Sequence, residues 1–171
     1  MRERPDRYNR IMRVLRSGDL DELAALKVAD PNFADSRDDF LGRHWIINAI
    51  SVGRPNAVRW FVQNAKEKIF RDEEGYTLLH AALDRCDNDK YTVLQLLIEQ
   101  GAALNLKGIN EWTPLHLAAA RDDERAVEML LAAGADPAIR TGIDGNLTPE
   151  EEAEMLGSAG ALAAFRRFRG V

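Results

Sequence analysis

The chain has 171 residues, 46% hydrophobic and 30% charged, with 23 Lys plus Arg against 28 Asp plus Glu and a formal net charge of −5. That apolar share supports a packed core and excludes disorder of the whole chain, and the length allows one domain rather than several. Cys86 is the single cysteine, so an internal disulfide framework and a cysteine metal cage are both excluded.

The first 17 residues, MRERPDRYNRIMRVLRS, alternate arginine with apolar residues and contain no uninterrupted apolar stretch. No window approaches the 18 apolar residues of a membrane helix, so neither a signal peptide nor a membrane span is expected, and the expected setting is cytoplasmic. Charge is unevenly spread. Residues 1–16 carry +4, Arg166, Arg167 and Arg169 add +3, and residues 17–164 hold −12. An acidic body repels phosphates, which disfavours nucleic acid and favours a basic or neutral partner. The arginine-rich ends are expected to solvate terminal helices; the alternative is a basic docking helix.

In chain order, the first recognisable unit is incomplete: SGDLDELAALKVADPN at residues 17–32. Next comes a degenerate unit. HWIINA begins at His44, and GRPNAVRWFV follows with a glycine that separates two helical patterns. His44 is expected to substitute for a capping threonine, and Trp45 and Trp60 to lie in the core or against the first unit. The third unit opens with TLLHAA at Thr77, 33 residues after His44, and the fourth with TPLHLA at Thr113, 36 residues later. LIEQGAALN from Leu97 aligns with LLAAGADPA from Leu130, which places Gly101 opposite Gly134. A period near 33–36 residues marks a stacked repeat architecture. A fifth unit opens with Thr148-Pro149, but Glu150, Glu151 and Glu152 follow where an internal repeat would be apolar, as befits a terminal unit with one face in water. Phe165 and Phe168 are expected to close the core there, with the nearby arginines facing out.

The fourth unit shows why these residue types recur. The Thr113 hydroxyl can cap a helix, Pro114 suits the first helical position, and Leu115, Ala118 and Ala119 form an apolar stripe. Ala126, Val127, Leu130 and Leu131 repeat that stripe in a second helix, and Gly134 follows as a left-handed cap. Two segments depart from the repeat. CDNDK, with Cys86, sits in a stretch three residues longer than its counterpart and is expected to lengthen a turn. GIDGNLTP is turn-rich and lacks the acidic alternation of a calcium loop.

These motifs resemble the ankyrin repeat family over about residues 8–168. The resemblance implies an all-α repeat solenoid of about five helix–turn–helix units with projecting hairpin loops and a concave groove. Its approximate units are 8–38, 39–71, 72–107, 108–142 and 143–168, the first and last being caps. It implies that His80 and His116 order the adjoining hairpins rather than bind metal or catalyse. It also implies a non-catalytic module that holds a protein partner by hairpin tips and exposed first-helix faces. Matching positions are Arg71, Glu73, Glu74 and Tyr76, then Ile109, Asn110 and Trp112, with Asp84, Arg85, Ala120 and Arg121 from the helices. Trp112 and Tyr76 carry the most weight, because aromatic residues dominate binding hot spots. Neither cofactor nor metal is expected, and the molecule is expected to be a monomer. Charge and size add a more specific alternative, a small inhibitor or immunity-type antitoxin that neutralises a basic protein. An enzyme built around Cys86 lacks a base and an oxyanion donor in sequence.

Overall fold

The computed structural model describes residues 6–66, 71, 75–142 and 145–170. Glu73 and Glu74 therefore lie outside the described residues, as does the side chain of Ile109. Ten α-helices are present among the described residues: α1 (Asp6–Ser17), α2 (Leu20–Ala29), α3 (Trp45–Val52), α4 (Pro55–Asn64), α5 (Leu78–Leu83), α6 (Lys90–Glu99), α7 (Pro114–Ala120), α8 (Glu124–Ala132), α9 (Pro149–Leu156) and α10 (Ala159–Arg169). Consecutive pairs form the units. Odd-numbered helices pack on one another in one layer and even-numbered helices in a second, so each unit buries its apolar face against its neighbours. This is the all-α repeat solenoid that the motifs imply.

The helix starts follow from the sequence. Thr77, Thr113 and Thr148 each hold extended backbone and accept the N–H of the third helical residue, that of His80, His116 and Glu151. His44 occupies the same position with the same extended backbone but makes no capping hydrogen bond. The expectation of a substitute cap fails: the His44 side chain accepts no N–H of the first turn, and the Trp45 N–H crosses the hairpin to the Ser36 carbonyl at 3.0 Å. The turn between α5 and α6 spans residues 84–89, against 121–123 between α7 and α8. The Cys86 segment thus lengthens a turn, as its extra residues suggest.

The core changes character along the stack. Trp45, Phe33 and Phe61 are fully buried near the N-terminal end, with Tyr8 and the half-buried Trp60 packed around them. Farther along, alanine and leucine replace the rings. At the far end Phe165 is 2% exposed, but Phe168 is 54% exposed and does not close the core. The ring sits among arginines that pair on the surface, Arg167 with Glu124 and Arg169 with Glu150, on the exposed last turn of α10. Glu152 is buried rather than wet. The arginine-rich ends are also less free than expected. Arg10 pairs with Glu22 at 2.6 Å, Arg7 with Asp30 at 3.7 Å, and Arg167 bridges Glu124 and Glu128.

Candidate functional site

The hairpins present the same register to each unit. Three loops close on the residue before the helix cap, Asp38 N–H to Arg43 carbonyl, Gly108 N–H to Trp112 carbonyl at 2.7 Å and Thr141 N–H to Leu147 carbonyl at 2.9 Å, and the Arg71–Thr77 bridge closes a fourth at the cap after Tyr76. Arg43, Tyr76, Trp112 and Leu147 therefore occupy equivalent places along the stack, and all four are half-buried. Tyr76 and Trp112 pack their inner edges on the core. Their outer edges are in contact with solvent.

The third helical residue secures this row. His116 accepts the Thr113 N–H on Nδ1 at 3.2 Å, and its Nε2 lies 3.1 Å from the Leu147 carbonyl. Glu151 takes the equivalent role in the last unit, accepting the Thr148 N–H at 2.8 Å. His80 Nδ1 lies 2.7 Å from the Thr77 hydroxyl, while its Nε2 is buried and closes no hydrogen bond of standard geometry. Burial pushes His80 down to about 4, opposed by the Trp112 carbonyl, and lowers His116 for the same leading reason. Both rings are neutral at neutral pH. Gly108 is required beside them, since a Cβ there would stand 2.6 Å from His80 Cε1 and 2.7 Å from the Gly75 carbonyl oxygen.

A charged cluster adjoins the aromatic row. Asp84, at the end of α5, accepts from the Tyr76 hydroxyl and pairs with Arg121, the residue after α7. Desolvation, then Asp84, raises the Tyr76 pKa above its ordinary value. Arg121 also donates to the Leu83 carbonyl at 3.0 Å, which ties the ends of α7 and α5. Arg71 stands 3.9 Å from Glu111 on the next hairpin. Asn110 and Glu111 both hold left-handed backbone, φ 56° at each, a conformation that non-glycine residues adopt at a cost and that sharpens the tip before Trp112.

The structure brings Tyr76, Asp84 and Arg121 together and sets Arg71, Asn110 and Trp112 on the adjoining tips. It removes Arg85 from the surface. Arg85 Nη1 donates to the carbonyls of Ile50 and Gly53, and Nε and Nη2 hold Asp87, leaving the side chain 1% exposed. The inserted turn folds Asp87 back over the guanidinium, so Arg85 joins two repeats instead of meeting a partner. The first helices of the second to fourth units offer less surface than expected: Trp45–Ile50, Leu78–Leu83 and Pro114–Ala119 are buried throughout, and the ends emerge at Ser51 and Val52, at Asp84, and at Ala120 and Arg121. Glu111 and Arg43 were not singled out in sequence. The register could have found Arg43, because it precedes His44 as Tyr76 precedes Thr77.

Chemistry at Cys86 has little to work with. The exposed thiol lies 3.6 Å from the Asp84 carbonyl, beside an open cleft of about 910 Å³ that has no histidine in its lining. Asp123 in that cleft is held below its ordinary range: Lys90, the Ala126 N–H and Tyr91 outweigh the larger opposing effect of burial. It is a structural acid. Among the described residues no group of three metal-ligating side chains forms, and no helix is long and apolar enough to cross a membrane.

Comparison with known proteins agrees with this geometry. The model of a family described as ankyrin repeats, in three copies, matches residues 46–141. The human BCL-6 corepressor-like protein 1 is 33% identical over 101 residues, 58% of this chain and 6% of that protein. The Drosophila melanogaster palmitoyltransferase Hip14 is 34% identical over 124 residues, 71% of this chain and 19% of its own length. The mouse RelA-associated inhibitor is 32% identical over 90 residues, 53% of this chain and 11% of its own. The chain thus spans less than a fifth of the length of each of these three relatives. Ankyrin repeats are protein-interaction modules and in general not catalysts. With the repeat register, the two helical layers and the family match over more than half its length, the chain belongs to the ankyrin repeat family.

Proposed function

We propose that this chain is a non-catalytic binding module that holds a protein partner along the hairpin row, with Tyr76 and Trp112 as anchors and Arg71, Asp84, Asn110 and Arg121 as polar contacts. The observation that carries this reading is the half-buried aromatic row, fixed from beneath by packing and bordered by the Asp84–Arg121 pair. Aromatic side chains already held in place lose little entropy on binding, which suits them as hot spots. Glu73, Glu74 and Ile109 belong to the same loops and are included in the proposed surface. Capture from the source cell, followed by mass spectrometry, tests the reading. Wild type retains a protein partner; Trp112→Ala combined with Arg71→Glu loses it while keeping the wild-type helix content by circular dichroism. Retention by the double variant, or turnover of a small substrate with no partner captured, overturns it.

The body charge of −12 supports a basic or neutral partner and, more specifically, an inhibitor that neutralises a basic protein in the cytoplasm. One relative bears the name of an inhibitor. A basic protein captured on the hairpin row, with its activity suppressed by stoichiometric wild type and not by the double variant, supports this narrower reading.

A further inference from the structure

The second layer of helices carries a feature that the hairpin row does not use. Along the even-numbered helices, α8 packs closely on α10, whereas α6 and α8 touch sparsely and leave an open seam. Two clefts of about 440 and 370 Å³ lie along it and share Gln95 and Met129. The first also reaches the start of α4, where Arg59 stands exposed. Leu96 and Met129 in the first cleft, and Ile98, Met129 and Ala132 in the second, form the apolar part of the lining.

Charge along this seam is balanced, Arg59 and Arg125 against Glu99 and Glu128, in a body that is otherwise acidic. Arg125 lies over the Tyr91 ring, 4.4 Å from its centroid, and forms no ion pair among the described residues; neither does Arg59. The ring is itself fixed, since the Tyr91 hydroxyl donates to Asp123 at 3.0 Å. Nearby carboxylates already have donors. Asp123 is held by Lys90, Tyr91 and the Ala126 N–H, Glu99 accepts from Gln95 at 3.0 Å, and Glu128 accepts from Arg167 at 2.8 Å. Two guanidinium groups thus flank a slot in which neither has an ion-pair partner among the described residues, in a chain that has more acids than bases.

We infer that the α4–α6–α8 seam is a second docking surface, for a partner segment that presents paired carboxylates to Arg59 and Arg125 and lays apolar side chains over Leu96 and Met129. A guanidinium offers a planar fork of donors that matches a carboxylate, and stacking on Tyr91 orders that fork in advance. This surface lies on the opposite helical layer from the hairpin row, so it stands or falls independently of the reading above.

The test uses the full chain and a fluorescein-labelled synthetic peptide in which an Asp–Asp pair precedes leucines at helical spacing, alongside its Asn–Asn counterpart. Saturable binding is expected for the acidic peptide, weaker by about tenfold or more for the Asn–Asn form and for Arg59→Glu plus Arg125→Glu. Arg125→Lys keeps the charge and loses the fork, and is expected to fall between. Trp112→Ala binds the peptide as wild type does. Because Arg59 is exposed, Arg59→Glu alone must weaken binding without changing the melting curve. The inference is overturned by absence of saturable binding, by equal affinity for the two peptides, or by charge-reversed variants that bind as wild type. Self-association in sedimentation velocity that the charge reversals abolish would make a second copy the occupant and overturn it as well.

Discussion

The degenerate second unit and the well-patterned fourth unit meet the same stacking requirement with different side chains. In the second, rings fill the space: Phe33 and Phe61 have centroids 5.5 Å apart, Trp60 and Phe61 5.1 Å, and Tyr8 lies 5.8 Å from Trp45. In the fourth, Leu115, Ala118, Ala119, Ala126, Val127 and Leu130 are fully buried, and the small residues let the helices approach. The hairpins differ in the same way. At the fourth unit a histidine joins the helix cap to the next loop. The second unit has Ile47 there, and a carboxylate orders the loop before it instead: Asp38 accepts the N–H groups of Phe40, Leu41 and Gly42 and the Asn48 side chain at 2.8 Å. The lesson is that a repeat is defined by which backbone groups need partners and how much volume needs filling, not by one set of residues.

The largest effect is expected in the aromatic half. Trp45→Ala removes a fully buried ring and should cost about 3–5 kcal/mol of unfolding free energy in urea titration, whereas Ala118→Gly in the fourth unit should cost only about 1 kcal/mol. Equal losses would show that the two cores are not different in kind. Acid should then separate the halves from the other side. His80 has a native pKa of about 4 against an ordinary 6.5, so the unfolded chain takes up its proton first as pH falls. Above pH 6.5 the ring imposes no penalty; between 6.5 and 4 stability declines, by on the order of 3 kcal/mol once fully expressed. Hydrogen exchange from pH 7 to 4.5 should show the third and fourth units losing protection before the second, which lacks such a histidine.

The carboxylate hairpin responds at lower pH. Desolvation would raise Asp38, but the backbone donors and Asn48 together hold it below its ordinary 3.8. Its contribution is present above that value and is lost as pH falls through the lower native pKa. Asp38→Ala leaves several loop donors without this acceptor and should cost about 2 kcal/mol at neutral pH, measured by chemical denaturation. The smallest effect is at the cap. Thr113→Ala should lower stability by about 1 kcal/mol, while His44→Ala, which removes no capping bond, should lose less; a larger loss at His44 would refute the account of how α3 begins.

Much of this architecture was legible in the sequence because it depends on short-range patterns. Thr77, Thr113 and Thr148 announce helix starts, glycines announce their ends, and the 33-to-36-residue period announces the stack. The added length of the turn after α5 was countable from Cys86 and its neighbours. The candidate site was less legible. Tyr76 and Trp112 could be placed by register, but the match between Arg85 and Arg121 concealed opposite surroundings. Each guanidinium donates to a first-helix carbonyl of the preceding unit, yet Arg85 is sealed by Asp87 while Arg121 remains 43% exposed beside Asp84.

By itself, then, the sequence determined the repeat, its register, its two helical layers and its family, since capping, periodicity and punctuation act within a few residues of where they are written. Only the tertiary structure decided which charged residues face outward. That outcome depends on carbonyls 30 to 40 positions away, as Ile50 is to Arg85 and Leu83 to Arg121, and on whether a lengthened turn folds a carboxylate such as Asp87 back over the guanidinium. It also decided that Phe168 stays exposed and that Arg59 and Arg125 share one seam without acceptors. Burial and pairing belong to neighbours in space, and in a stacked chain those neighbours lie one whole repeat away.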